Sequence, residues 1–74
     1  MNRTRYKEIE SIYASLREIK EDLEQILEEE QSAYDNTLES FRKVSKAESE
    51  EIIDDLDDAV ASLDDAIESL FNTL

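Results

Sequence analysis

The residues that come nearest to doing chemistry are carboxylates. Asp54-Asp55-Leu56-Asp57-Asp58 matches the DDxxD spacing with which prenyl-transferring enzymes hold magnesium. On a helix, Asp54 and Asp58 share a face while Asp57 lies well around the barrel. Such a metal site also needs a second acidic cluster around a deep apolar cavity, which two helices cannot enclose. Other chemistries lack their residues. There is no His, the commonest general base and metal ligand. There is no Cys, which removes disulfides and thiolate metal sites. There is no Gly to build a phosphate-cradling loop or the turn of an EF-hand. The expectation is a protein without catalysis, metal or cofactor.

The acids nevertheless recur in order. Leu56-Asp57-Asp58-Ala59-Val60-Ala61-Ser62 is followed by Leu63-Asp64-Asp65-Ala66-Ile67-Glu68-Ser69, one heptad written almost twice. Glu50-Glu51, Asp57-Asp58 and Asp64-Asp65 therefore repeat on one side of a helix about every 10.5 Å, and Asp54-Asp55 adds a pair on the other flank. Glu50–Asp54, Asp54–Asp58 and Asp64–Glu68 are like-charge neighbours four apart, each destabilising by tenths of a kcal/mol. Aspartate's low helix propensity adds a similar cost. Short, stiff carboxylates crowded in this way present a dense negative surface to a basic protein partner. The plainer reading is that they keep a packing seam soluble.

The net charge is −13, from 21 acidic and 8 basic residues. Residues 1–44 carry 11 acids and 7 bases, whereas residues 45–74 carry 10 acids and Lys46 as the sole base. Such acidity opposes direct contact with nucleic acid or an anionic membrane. Nucleic-acid mimicry is only partial in one copy: the second half carries about one net charge per 5 Å of helix, against one per ~1.7 Å in duplex DNA. Pooling two stripes in a dimer comes closer. Mutual repulsion predicts a melting temperature that rises with added salt.

These acids must be positioned by helices. With no Gly or Pro and abundant Glu, Leu, Ala and Lys, the 74-residue chain reads as one all-α domain. No apolar run approaches the ~18 residues of a membrane span. The opening MNRTRYKEIE has no apolar stretch behind its basic residues and does not read as a secretory leader, so a cytoplasmic protein is expected. In the first half, Ile9, Leu16 and Leu23 fall at heptad position a, Ile12, Ile19 and Ile26 at d, and Tyr13 and Leu27 widen the stripe at e. In the second half Ile53, Val60, Ile67 and Leu74 fall at a, and Leu56, Leu63 and Leu70 at d. Ile52, Ala59 and Ala66 take position g, where the small alanines permit close approach of a neighbouring helix.

The stripe thins between the halves. Asp35-Asn36-Thr37 carries the best turn signal, and Asn36 with Glu39 and Ser45 with Glu48 have capping-box spacing. The spacing predicts a first helix over about 4–33, a connector over about 34–44 with a short helical turn at 38–44, and a second helix over about 45–72. Tyr34 and Phe41 read as lids over the core near that joint. An antiparallel hairpin of two such helices leaves its broad stripes half covered, so a homodimer forming a four-helix bundle is expected.

The run Glu30-Gln31-Ser32-Ala33-Tyr34-Asp35-Asn36 and the acidic helix after it resemble a family of small acidic helical proteins of unknown function from Gram-positive bacteria and their phages. That family has an EQ-x-A-[YF]-D-N joint, a P-E-S/N-L turn and a repeating A-I-D-x-L-E-E-A-I second helix. Leu38 stands here where the family has proline, which implies a softer or shifted turn. The resemblance covers most of the chain and brings no catalytic or binding residues with it. It implies a mobile-element setting, in which small acidic proteins bind and block host or defence proteins. The expected function is thus an inhibitor-like interaction protein, with Glu50, Glu51, Asp54, Asp55, Asp57, Asp58, Asp64 and Asp65 as its contact residues. The alternative is a self-assembling structural bundle with no foreign target.

Overall fold

The computed structural model describes the backbone of residues 1–36 and 39–74 and the side chains of residues 1–36 and 48–74. It is an all-α hairpin in which α1, Arg3–Asn36, packs against α2, Glu39–Thr73. Asn2 caps α1: its side-chain oxygen accepts the Arg5 backbone N–H at 2.8 Å, satisfying one of the helix's free first-turn donors. The first turn of α1 holds no acid and the last turn of α2 holds no base, the reverse of what each helix dipole favours. Antiparallel pairing relieves both. Arg3, Arg5 and Lys7 come to the end of the hairpin where the last carbonyls of α2 gather, and the Tyr6 hydroxyl donates to the Leu74 carbonyl at 3.1 Å.

Three cross-helix contacts fix the register. The Tyr13 and Phe71 rings lie 6.1 Å apart, Lys20 pairs with Asp64, and the Tyr34 hydroxyl donates to Glu50 at 3.0 Å. Seven residues up α1 match seven down α2 between the first two, and fourteen match fourteen to the third. The helices therefore run side by side in heptad register, as an antiparallel coiled coil does. The hairpin measures 59 × 14 × 12 Å, with a radius of gyration of 17.1 Å. A compact chain of this length has about 11 Å.

At the joint the helices are longer than the sequence pattern predicts. Residues 34–36 continue α1, and 39–44 are continuous with α2, so α2 begins ahead of the expected cap at Ser45. Of the expected 34–44 connector, positions 37 and 38 lie outside the described residues, as does the side chain of Phe41. The physical reason is propensity: Ser, Tyr and Asp each cost only tenths of a kcal/mol in a helix, while Gly or Pro would cost far more. The Gln31 amide donating to Asp35 one turn on, at 3.2 Å, further supports the last turn of α1.

The seam is two positions per heptad wide. On α1 its half-buried residues are Ile9, Leu16, Leu23 and Glu30 alternating with Tyr13, Lys20, Leu27 and Tyr34. On α2, Ile53, Val60, Ile67 and Leu74 alternate with Ser49, Leu56, Leu63 and Leu70, and Ala59 beside them is half-buried too. The α2 row follows the expected register. The α1 row is turned by one edge, because it uses Tyr13, Lys20 and Leu27 where the pattern had placed Ile12, Ile19 and Ile26. Both choices alternate three and four, so apolar spacing alone does not separate them. What favours the observed one is the partner, since only that edge meets Phe71, Asp64 and Glu50. Ile53 is the one apolar side chain buried among the described residues, at 9% exposure.

Candidate interaction surfaces

Each flank of the hairpin takes equivalent positions from both helices, as antiparallel pairing requires. One flank carries α2's Glu50, Asp57, Asp64 and Phe71, which sit across from Tyr34, Leu27, Lys20 and Tyr13. The opposite flank carries Ile12, Ile19 and Ile26 of α1 and Ile52, Ala59 and Ala66 of α2. The two flanks differ sharply in chemistry.

On the first flank the structure separates the members of each acidic pair. Glu50, Asp57 and Asp64 line the edge of the interhelical groove. Glu51, Asp58 and Asp65 stand one residue further round, away from α1. Asp54 joins Glu50 in the groove beside Gln31, Tyr34 and Ile53, and Asp55, one residue on, is turned away from it. All eight are exposed, but they wrap the outside of the helix rather than converge. Among the described residues no three acids come together as a group that could hold a metal ion. No helix among the described residues is long and apolar enough to cross a membrane.

Lys20 is the cation the sequence pattern undervalues. It pairs with Glu24, one helical turn away, at 3.3 Å. Its place in the Tyr13, Lys20, Leu27, Tyr34 row also brings it across the seam to Asp64. The stem packs between the helices while the ammonium group reaches water. Hydrogen bonds from Asp64 foremost, then Glu24, raise its pKa above the ordinary 10.5. A raised lysine pKa stabilises the fold below its unfolded value and loses that contribution as pH climbs through the folded one. Thermal melts of wild type and Lys20→Met should therefore differ by a constant amount from pH 6 to 9 and converge above about 10.5. A difference unchanged at pH 11.5 would show that Lys20 acts through its stem alone. Arg17 lies over the Tyr13 ring at 5.8 Å, so the two cations in the middle of α1 are both engaged.

The second flank is apolar and open. Ile12 is 54% exposed, Ile19 48%, Ile26 50% and Ile52 42%. A compact protein of 8.6 kDa exposes about 4,700 Å², whereas this chain exposes 5785 Å². The excess of roughly 1,100 Å² reflects an elongated hairpin with no third layer.

Fold and surface define a class, an antiparallel helical hairpin with one carboxylate-lined flank and one isoleucine-lined flank. Compared with family models, curated proteins and solved structures, the chain matches none.

Proposed function

We propose that the protein is a non-catalytic interaction module whose acidic rows bind a basic surface on another protein. In the mobile-element setting that the resemblance implies, the partner is a host nucleic-acid-handling or defence factor in the cytoplasm, and binding blocks it. The supporting observation is the state of the carboxylates. Glu51, Asp54, Asp55, Asp57, Asp58 and Asp65 make no ion pair among the described residues and stand exposed on a helix they destabilise. Packing explains none of them.

The test replaces Glu50 and Glu51 with Gln and the five aspartates other than Asp64, which pairs with Lys20, with Asn. The variant should melt higher, by about 1 kcal/mol in stability, as several like-charge neighbours are relieved. It should also lose basic proteins that the wild type captures from host extract at about 0.1 M salt and releases near 1 M. Capture of the same proteins by both forms would remove this reading.

A second reading, self-assembly into a structural bundle without a foreign target, is favoured by the exposure of Ile12, Ile19, Ile26 and Ile52. Solubility requires none of these residues at the surface, and the hairpin's own seam does not use them.

A further inference from the structure

We propose that two hairpins pair through the isoleucine flank with α1 of each copy lying over α2 of the other, about a two-fold axis parallel to the helices. This rests on the self-assembly reading and adds the face and the orientation. The register that sets Lys20 across from Asp64 also sets Ile19 level with Ala66, Ile26 with Ala59, and Ala33 with Ile52. Every one of these layers holds one large and one small side chain. An axis parallel to the helices keeps each layer level and exchanges left for right, so each isoleucine meets the partner's alanine. Four-helix layers of constant volume result, with large residues seated over small ones. All neighbouring helices are also antiparallel, which suits their dipoles.

An axis perpendicular to the helices would lay α1 on α1 and α2 on α2. Ile12, Ile19 and Ile26 would then crowd their own copies, while Ala59 and Ala66 would face each other across a gap. That arrangement does bring the basic end of one copy over the acidic shaft of the other. Exposed charges are screened beyond about 8 Å and contribute little, so packing decides. The flank is large enough to hold a dimer. Some 20 residues of length and two helices of width cover on the order of 600 Å² per copy, about 1,200 Å² in all, within the range of specific interfaces. A foreign helix would have to reproduce the same alternation. A second copy already has it.

The chain contains no cysteine, so Thr4→Cys, at an exposed position near the hairpin's open end, takes one spin label per copy. The expected result is a dimer by sedimentation at tens of micromolar and a label-to-label distance of roughly 25 Å, about two helix diameters. A dimer with labels more than about 40 Å apart, as for opposite ends of a hairpin tens of Å long, overturns the orientation and leaves self-assembly standing. A monomer overturns both and assigns the flank to another protein. Packing is read separately. Ile19→Ala should weaken the dimer roughly 30-fold, and adding Ala66→Ile should restore it to within a few-fold of wild type. Failure of that exchange to rescue, with the dimer otherwise intact, also overturns the seating of Ile19 on Ala66.

Discussion

Ile53→Ala is expected to destabilise the hairpin by about 2–3 kcal/mol and to lower its melting temperature by roughly 10–20 °C. The reason is the thinness of the core. Ile53 is the one apolar side chain buried among the described residues, and it lies in the seam near the Tyr34–Glu50 hydrogen bond. Truncating a buried isoleucine usually costs about 2–5 kcal/mol. The lower end applies because an open two-helix layer can partly collapse around the gap. A domain of this size has only about 4–11 kcal/mol of stability in total, so one substitution removes a large share. Far-UV circular dichroism melts at matched concentration measure it. A shift below about 3 °C, under 1 kcal/mol, would show that the hairpin is held elsewhere along the seam.

The fold was legible because composition left little else. A chain without Gly or Pro, with two heptad stripes, has helices as its outlet, and two helices with facing stripes pair. Length at the joint was less legible. Turn residues such as Asp35 and Asn36 mark a place where a helix is able to stop, not where it must, and here α1 runs through both. The α2 seam followed its pattern because Ile53, Leu56, Val60 and Leu63 admit one register. The α1 seam did not, because Ile9, Leu16 and Leu23 serve equally with the isoleucine row on one edge or with Tyr13, Lys20 and Leu27 on the other. A lysine in the second row disguises it as surface. The available signal was charge: Lys20 stands seven residues from both Tyr13 and Leu27, and its aliphatic stem can pack while its head finds an acid.

The acidic surface shows the same limit. Its residues were countable from sequence, and all eight are exposed. Their grouping into Glu50, Asp57 and Asp64 on the groove edge, and Glu51, Asp58 and Asp65 beyond it, depends on which side of α2 meets α1. Pattern alone places both members of a pair on one helix face. The neighbour decides that one of them lines a groove and ion-pairs, as Asp64 does with Lys20.

Replacing Ile12, Ile19 and Ile26 together with Gln should leave the hairpin helical and abolish its self-association. Glutamine is at least as good a helix former as isoleucine, and none of the three lies in the seam with α2, so the intramolecular contacts survive. Covering the remaining half of each isoleucine is worth about 1 kcal/mol. Six such side chains per dimer supply on the order of 6 kcal/mol, so their loss weakens association by about 10⁴-fold. The measurement is concentration dependence. An assembling protein melts at higher temperature as its concentration rises, and a monomer does not. Wild type should gain several degrees between about 1 and 100 µM, while the triple variant should melt at one temperature throughout, near the dilute wild-type value. Loss of helicity in the variant at every concentration would place the isoleucines in the hairpin's own core, against their exposure. A wild type whose melting temperature ignored concentration would leave the open flank to a foreign partner, and the acidic flank would then be only part of that interface.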